Sequence, residues 1–424
     1  MDRRLTNWAG NTVFRAGHVH HPATVEELRG IVAAAPRVRA LGSGHSFNDI
    51  ADSPGGALVS LAALDPVADP DAATMTVRVA AGVRYGELGR RLHAMGYALR
   101  NLGSLPHISV AGSCATGTHG SGDGNGGLAT SVSALEIVTA DGDLRTLDRA
   151  GYGDRFDGAV VALGTLGIVT HLTLEVVPAF YVRQHVYEAL PLEALDDHFT
   201  DITSAGYSVS MFTGWRGPAI DQVWVKRRTD SPGDATPGPG DLGARPADGP
   251  RHPVPGMSPH SCTAQLGVPG PWFERLPHFR PDFTPSSGEE LQSEYLVARE
   301  HAVAAVHELD AVRDRIAPVV QISEIRTIAA DRLWLSPSHG RDTVGFHFTW
   351  VKDPDAVRPV MELVEERLRP FGARPHWGKL FTTPPERIDA LYDRLPDFRA
   401  LAADLDPHGK FATPFTARHL RIAP

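Results

Sequence analysis

A short run of glycine, serine and histidine constrains this chain more than any other feature: Leu41-Gly42-Ser43-Gly44-His45-Ser46-Phe47. It follows a strand-like stretch at 38–41. Glycines let a backbone approach a ligand closely and leave amide N–H groups free to bind an anion. A second run, 112–127, alternates tiny and hydroxyl-bearing residues that would bury little apolar surface without a ligand. Two such loops indicate a site for a pyrophosphate-containing ligand, with the reactive imidazole of His45 at its edge.

Composition narrows the class of protein. The 424 residues are enough for two or three domains, and 42% apolar with 21% charged residues is ordinary for a soluble globular protein. A net charge of −9 offers no basic stripe for nucleic acid, and no apolar run approaches the roughly 18 residues that span a bilayer. The N-terminus lacks a signal-peptide pattern, and Cys114 and Cys262 are too few for a disulfide framework. We expect a cytoplasmic, monomeric enzyme with neither nucleic acid nor membrane as a partner.

Helix and strand signals alternate along the first 180 residues. Thr24 and Glu27 resemble a capping box before an apolar run, and Asp141-Gly142 is a strong hairpin signal. These patterns predict an α+β fold with mixed sheets, in which residues 1–180 and 181–400 form two domains and 401–424 a compact tail.

Periodicity predicts individual elements. Apolar spacing favours helices after Thr24 and over 85–95, 298–316 and 354–368. Alternation favours strands at 38–41, 75–80, 134–139, 144–147, 168–177, 207–215, 223–227, 323–328 and 343–350. Residues 230–255 are rich in Pro, Gly, Asp and Ala, which predicts a mobile surface loop.

Two of the predicted strands carry unusual polar residues. Residues i and i+2 of a strand face the same way, so Glu324 shares a face with Arg326, and His347 shares one with Thr349. The aromatic residues of the second strand take the opposite face: Phe346, Phe348 and Trp350. A solvent-facing ion pair is one interpretation. The other is a converging polar cluster that holds a polyhydroxylated substrate through charge-assisted hydrogen bonds.

Several patterns are misleading. Gly122-x-Gly124-x-x-Gly127 fits a dinucleotide fingerprint, but no clear strand precedes it and a strand, not a helix, follows. Ser104 and His107 could suggest a nucleophile and base, yet Pro106 separates them and there is no Gly-x-Ser-x-Gly elbow. No His-Glu-x-x-His or Cys-x-x-Cys spacing indicates a metal. We therefore predict neither a Rossmann domain, nor a hydrolase, nor a metal site.

The two glycine-rich loops together resemble the FAD-binding domain of the vanillyl-alcohol oxidase superfamily. Residues 375–379 and the C-terminal tail are similar to the sugar-1,4-lactone oxidases, and within that group the chain most resembles the alditol-oxidising members over nearly its whole length. The blocks that carry this resemblance are 101–112, Glu324-Ile325-Arg326-Thr327, His347-Phe348-Thr349-Trp350 and His376-Trp377-Gly378-Lys379. The resemblance implies a two-subdomain FAD-binding domain, an α+β substrate (cap) domain, and a C-terminal segment that returns to the FAD domain.

The resemblance also implies site residues. His45 would carry FAD through a histidyl bond to the 8α-methyl group. The other cofactor-binding residues would be Leu41, Gly42, Ser43, Gly44, Ser46, Gly103, Ser104, Ser109, Gly112, Ser113, Thr116, Gly117, Thr118, His119, Gly122, Gly167, Ile168, Val169, His376 and Lys379. The substrate pocket would hold Ser104, Glu324, Arg326, His347, Thr349 and Lys379. Arg326 and Lys379 would stabilise a developing alkoxide, His347 would accept the proton, and Glu324 would orient Arg326. Without the resemblance, Lys379 could equally be an ordinary surface lysine.

The implied reaction is oxidation of the terminal primary alcohol of an alditol such as xylitol or sorbitol to the aldose, with O2 reduced to H2O2. Gly103 is small, which fits an oxidase in this family. Cys114 stands where an aliphatic residue is expected and could form a second flavin bond or be a buried, unreactive thiol. Two alternatives remain: an aldonolactone oxidase or dehydrogenase of the same family, and a non-catalytic flavin- or sugar-binding protein.

Overall fold

Two bodies of β-sheet, each covered by helices, make up the molecule. The computed structural model describes residues 5–65, 69–230, 238–283 and 289–422. Helices and strands intermingle along this part of the chain, which confirms the predicted α+β class. Within these ranges, no helix combines the length and apolar character that a bilayer-spanning segment requires.

The first body contains the glycine-rich loops. Its elements in chain order are β1 (His18–His20), α1 (Val25–Ala34), β2 (Val38–Ala40), β3 (Ala57–Val59), β4 (Thr76–Ala80), α2 (Tyr85–Ala94), β5 (Tyr97–Ala98), α3 (Val110–Ala115), β6 (Val132–Val138), β7 (Leu144–Asp148), α4 (Arg149–Tyr152), α5 (Arg155–Val160), β8 (Ile168–Glu175) and β9 (Val177–Pro178). A small parallel sheet has the order β1-β3-β2, and an antiparallel sheet has the order β4-β8-β6-β7.

Local sequence signals explain several of these elements. The side chain of Thr24 accepts a hydrogen bond from the Glu27 amide, as expected of an N-cap, although the Glu27 carboxylate reaches the amide of Ala23 and not that of Thr24. Asp141 and Gly142 (φ +86°) form the turn between β6 and β7, which confirms the predicted hairpin.

The second body is built on one large antiparallel sheet, so among the described residues each large sheet has strands of one kind of pairing and the predicted mixed sheets are wrong. Its elements are β10 (Tyr181–Pro191), α6 (Ala194–Ser204), β11 (Ser208–Thr213), β12 (Ala219–Arg228), β13 (Arg245–Pro246), β14 (Gly270–Pro271), β15 (Glu290–Ala298), α7 (Ala302–Asp310), α8 (Arg313–Ile316), β16 (Val320–Ile328), β17 (Thr343–Val351), α9 (Pro354–Leu368) and β18 (Arg374–Pro375). Across the described residues the order is β13-β10-β12-β11-β16-β17-β15-β18, and β14 also pairs with β10.

One face of this sheet packs on helices and the other faces a cavity. Phe346, Phe348 and Trp350 belong to the core beneath α7 and α9, which confirms that they lie opposite His347 and Thr349. Antiparallel pairing sets Glu324 of β16 directly across from His347 of β17. The sheet therefore presents a polar surface of several strands to the first body.

Three local predictions need correction. The strand β15 is absent from the predicted elements, and the predicted helix 298–316 begins as a helix at Ala302, because Ala298 ends β15. The predicted helix also breaks into α7 and α8. Residues 231–237 of the predicted loop lie outside the described residues. The remainder, 238–255, folds against the sheet: Arg245–Pro246 pairs with β10, and the buried His252 carbonyl accepts from Gln222 Nε2 at 2.9 Å.

The chain ends in three helices: α10 (Pro385–Leu391), α11 (Leu395–Leu405) and α12 (Pro414–Leu420). Their apolar side chains share the core of the first body. The side chain of Lys410 reaches Val32 O at 2.8 Å. The domain boundaries at 180 and 400 stay predictions, and this packing favours placing the return to the first body nearer residue 377, because Trp377 already belongs to that core.

Candidate active site

A cavity of about 450 Å3 separates the two bodies and is lined by both glycine-rich loops and by the polar face of the large sheet. Most of the predicted cofactor residues lie on its wall: Leu41, Gly42, Ser43, Gly44, His45, Ser46, Gly103, Ser104, Ser109, Gly112, Ser113, Thr116, Thr118, His119, Gly167, Val169, His376 and Lys379. The predicted substrate residues line the same cavity: Ser104, Glu324, Arg326, His347, Thr349 and Lys379. The fold thus brings both sets to one place.

Three predicted cofactor residues lie off this wall. Gly117 (φ +68°) packs against Pro337, where an added Cβ would come within 3.0 Å of the proline ring. The amide of Gly122 donates to Thr327 O at 2.9 Å, so this glycine joins the loop to β16. Ile168 is fully buried in the core of the first body. Each of them therefore supports the loops from behind.

The first glycine-rich loop holds His45 in a defined place. Its ring stacks on Trp8 with centroids 4.8 Å apart, and the Trp8 amide donates to Gly44 O at 2.8 Å. Gly44 adopts a left-handed φ of +69°, which favours glycine. Both ring nitrogens of His45 are buried and have no hydrogen-bond partner among the described residues. Since buried polar atoms are normally paired, this imidazole fits a residue that engages a bound group.

The backbone around His45 is tightly packed. A Cβ on Gly42 would lie 2.4 Å from Ser109 Oγ, so a larger residue at position 42 would displace the Ser109 side chain. The Ser109 amide donates to Ser43 Oγ at 3.2 Å, which joins the loops directly. Burial lowers the pKa of His45 to about 4, with His107 contributing, so the ring is neutral at physiological pH. The neutral imidazole of His45 and the closely packed glycine-rich loops therefore fit the predicted binding of a flavin at this site.

Glu294 of β15 lies at the centre of the charged part of the cavity. Its carboxylate accepts from Lys379 Nζ at 2.6 Å and from Arg326 Nη2 at 2.8 Å, and His119 Nε2 lies 3.2 Å away. Burial alone would raise the pKa of Glu294, but Lys379 and Arg326 outweigh it and hold that pKa well below its ordinary value. Glu294 was not among the predicted residues. Its signal in the sequence is the alternation of the polar residues Glu290, Gln292 and Glu294 along β15, a strand that the predicted elements do not include.

Arg326 connects Glu294 to the predicted substrate residues. Its Nη1 donates to Ser104 Oγ at 3.2 Å, and its Nε lies 3.6 Å from Glu324 Oε1. Burial opposes its charge, but Glu324 and Glu294 outweigh that effect and raise the pKa of Arg326. The guanidinium is therefore a permanent positive charge, fixed between two carboxylates at the cavity wall.

Lys379 and His347 form a second polar pair. Lys379 Nζ lies 2.7 Å from His347 Nδ1, and His347 Nε2 lies 3.1 Å from Thr349 Oγ1. Burial and the neighbouring Lys379 lower the pKa of His347 to about 3, so the ring is neutral near pH 7. An ammonium can only donate, which makes Nδ1 the acceptor and leaves the ring proton on Nε2, facing Thr349.

Contacts from both bodies position Lys379. The Asn48 side-chain amide donates to Trp377 O and Lys379 O, each at 2.8 Å, from just beyond the first glycine-rich loop. From the large sheet, Glu294 O accepts from the His376 amide at 2.9 Å. The turn that carries the lysine is thus attached to the His45 loop on one side and to β15 on the other.

The structure also shows the surroundings of Cys114 and Gly103, the two positions singled out for a second flavin bond and for oxidase activity. Cys114 is buried, absent from the cavity wall and 3.7 Å from the Tyr85 hydroxyl, and burial raises the pKa of its thiol to about 12. This favours the unreactive-thiol interpretation. Gly103 does line the cavity, and a Cβ there would meet His119 O at 3.6 Å, an ordinary contact.

Comparison with known proteins agrees with this geometry. Residues 16–148 match the FAD binding domain family, and residues 289–419 match the D-arabinono-1,4-lactone oxidase family. The chain is 56% identical to an alditol oxidase of a Streptomyces species over 98% of both chains. It is 29% identical to an L-gulono-1,4-lactone dehydrogenase of Mycobacterium tuberculosis, again over 98% of both. Cholesterol oxidase from B. sterolicum has the same fold, with a TM-score of 0.77 at 16% identity, covering 98% of this chain and 96% of that one.

The fold and the site therefore define an FAD-dependent oxidoreductase of the vanillyl-alcohol oxidase type. Within that class, the extent and level of the sequence identity show that the chain belongs to the alditol oxidase family.

Proposed function

We propose that this protein oxidises the terminal primary alcohol of alditols such as xylitol and sorbitol to the aldose and reduces O2 to H2O2. The balance is RCH2OH + O2 → RCHO + H2O2. The observation that carries the proposal is the position of the buried group Glu324, Arg326, His347 and Lys379 at the wall of the same cavity that the two glycine-rich loops line.

The two loops would hold FAD, with His45 as its covalent attachment. The buried, unpaired and neutral ring of His45 supports this assignment. The small residues Gly42 and Gly112 and the hydroxyls of Ser43 and Thr116 would accommodate the pyrophosphate. When bound, FAD would supply the acceptor for the hydride from C1 and the means of passing the electron pair on to O2.

Arg326 and Lys379 would act on the C1 oxygen. Both are cationic donors on the cavity wall, and both are held by Glu294. Positive charge fixed where an alkoxide develops lowers the barrier without reorganisation of the protein. The hydroxyl proton would go to His347, whose neutral Nδ1 already accepts a hydrogen bond from Lys379 Nζ at 2.7 Å. We assign the route through Lys379, which gives one proton to His347 as it takes up the substrate proton.

The remaining polar residues would bind the other hydroxyls of the polyol. Glu324 accepts hydrogen bonds and is ionised, while Ser104 and Thr349 each offer a hydroxyl that can donate or accept. Such a set suits a chain of adjacent hydroxyls. The predicted monomeric state and cytoplasmic location stay predictions.

The match of residues 289–419 to a lactone oxidase family favours an aldonolactone as the second candidate substrate. Peroxide release in air, measured in parallel with xylitol, sorbitol and L-gulono-1,4-lactone, separates the two. We expect turnover with the alditols at a kcat/KM well above that with the lactone. Turnover with the lactone alone would overturn the proposal.

A further inference from the structure

A buried polar chain that the reaction described above does not use runs from Lys226, behind the cavity wall, to His278 on that wall. We infer that Lys226 and His278 are positioning residues that fix the Glu324 carboxylate, in orientation and in its ionised state, for recognition of a polyol hydroxyl. The inference rests on the proposed function and names two residues that act on substrate through a third.

Lys226 lies on β12 and is 1% exposed. Its ammonium donates to the carbonyl of Leu276, to Pro277 O at 3.2 Å and to His278 Nδ1 at 3.0 Å. Three donors thus meet three acceptors, which is the full capacity of a lysine. A buried lysine that reaches no carboxylate of the described residues within hydrogen-bond distance is unusual, and the contacts of Lys226 lie on the segment that carries His278.

These contacts determine the tautomer of His278. Because Lys226 Nζ can only donate, Nδ1 of His278 must accept, and the ring proton therefore resides on Nε2. That nitrogen lies 2.7 Å from Glu324 Oε1, so its N–H donates to the carboxylate. Burial lowers the pKa of Lys226 to about 7, and a neutral amine retains N–H donors for Nδ1. A neutral amine also carries a lone pair that can accept from His278 Nδ1, so the donor direction toward Glu324 is fixed when Lys226 is charged.

Aromatic rings hold the His278 imidazole in this orientation. Trp224 packs edge-on against it at 5.2 Å between centroids, and Phe212 does so at 5.5 Å. The His278 amide also donates to Ser104 O at 3.1 Å. The same residue therefore positions two groups of the predicted substrate pocket, Glu324 through its side chain and Ser104 through its backbone.

The chain also sets the charge of Glu324. Burial alone would raise the pKa of this carboxyl, but Arg326 and His278 outweigh it and hold that pKa far below its ordinary value. The titratable and charged groups that act on Glu324 or Lys226 from the surrounding elements are Arg326, His278, His347, Lys379 and Cys262. Loss of the His278 donor would therefore raise the pKa of Glu324 and let it protonate at a higher pH.

Two substitutions of similar size and polarity test this. In His278→Gln, the longer side chain can still place an amide N–H near Glu324. In His278→Asn, the shorter one keeps an acceptor for Lys226 but does not reach the carboxylate. Since a hydrogen bond to a charged group contributes about 1.5–3 kcal/mol, we expect His278→Asn to raise the KM for xylitol about 10- to 100-fold, with a smaller change of kcat. His278→Gln should stay within about 3-fold of the parent protein, which is below the effect of losing such a bond.

The pH profile gives a second readout. Where kcat/KM falls in acid, the fall should begin at a higher pH in His278→Asn than in the parent protein, and His278→Gln should behave like the parent. Lys226→Met should change the KM for xylitol and the pH at which kcat/KM falls in acid in the same directions as His278→Asn. Tyr295→Phe, which removes a buried hydrogen bond to Glu365 on the opposite face of the same sheet, is the matched control and should change neither.

The outcomes separate the two levels of the proposal. A parent protein that does not oxidise xylitol would contradict the proposed function itself. A parent protein that oxidises xylitol, with His278→Asn and His278→Gln alike in KM and in pH profile, would overturn the positioning role. Thermal unfolding and FAD content of all four variants establish that each is folded and loaded.

Discussion

At the scale of single residues, the site depends on buried charged side chains that contact one another directly. Glu294 touches both Lys379 and Arg326, and Glu324 faces Arg326 and His278. An isolated buried charge would be very unfavourable, but these charges are mutually compensated. Substitution of any one of them therefore changes the state of the others.

The role of His45 is tested by its removal. We expect His45→Ala to lose acid-stable flavin, because no other described side chain occupies its position between Trp8 and the glycine loop. The yellow colour of the acid-precipitated protein measures this. His18→Ala, which removes an exposed histidine from β1, should keep the colour. Flavin that still coprecipitates with His45→Ala would show that the attachment lies elsewhere.

Lys379 should matter for turnover and not for cofactor loading. Loss of one donor to a developing oxyanion typically costs a factor of about 10² to 10³ in kcat, so Lys379→Met should fall within that range with its FAD content unchanged. Arg358→Met removes an exposed positive charge from α9 and serves as the control. Equal loss of turnover and of FAD in Lys379→Met would contradict the assignment to substrate.

At the scale of elements, the three adjacent strands β15, β17 and β16 supply the polar wall, and they differ in how far the sequence revealed them. The strands at 323–328 and 343–350 could be predicted because aromatic and aliphatic residues alternate with polar ones. The strand β15 has the same alternation through Glu290, Gln292 and Glu294. From the sequence alone, these polar residues are equally typical of a strand whose polar face is exposed to solvent. Burial of Glu294 follows only from its partners on other elements, which no local pattern contains.

Substitution of Glu294 by a neutral residue tests how much its ion pairs with Lys379 and Arg326 contribute to the free energy of unfolding. Removal of one partner of a buried ionic group costs about 3–5 kcal/mol, so Glu294→Gln should lower the free energy of unfolding by about that amount at neutral pH. The pKa of Glu294 is depressed in the folded state, so its contribution is present above its ordinary value of 4.5 and is lost as the pH falls below it.

Denaturant unfolding at several pH values measures the effect. The difference between Glu294→Gln and the parent protein should shrink below pH 4.5. Glu362→Gln, at an exposed position on α9, should cost well under 1 kcal/mol. A Glu294→Gln protein as stable as the parent at pH 7 would contradict the account of the charged cluster.

At the scale of the whole molecule, the site exists only where the two bodies meet. The resemblance of the glycine loops and the His376–Lys379 block to known flavoproteins anticipated both halves of the site, but not their connections. Asn48, which joins the first loop to the Lys379 turn, carries no recognisable motif. Residues 252–254 come from a segment predicted as a mobile loop, yet they line the cavity. Contacts between segments so far apart in the chain leave no periodic pattern in the sequence, so they could not be predicted from it.

The electrostatics of the whole cavity predict its acid tolerance. The pKa of His347 is lowered to about 3 and that of His278 to about 4, in each case mainly by burial, while Glu294 and Glu324 are held ionised by their cationic partners. None of these four groups gains a proton between neutral pH and about pH 5. Lys226, whose pKa burial lowers to about 7, is already protonated below about pH 6, so we expect kcat/KM for xylitol to be flat between about pH 6 and pH 5. An acid limb inside that interval would show that one of the two histidines titrates nearer its ordinary range.

The most direct test of the central claim follows the flavin itself. The purified, FAD-loaded protein is mixed without oxygen with an excess of xylitol, its visible absorbance is recorded, and air is then admitted. The account predicts that xylitol bleaches the yellow colour and that air restores it with release of hydrogen peroxide. Absorbance that xylitol leaves unchanged would contradict polyol oxidation, and bleaching that air does not reverse would contradict oxygen as the acceptor.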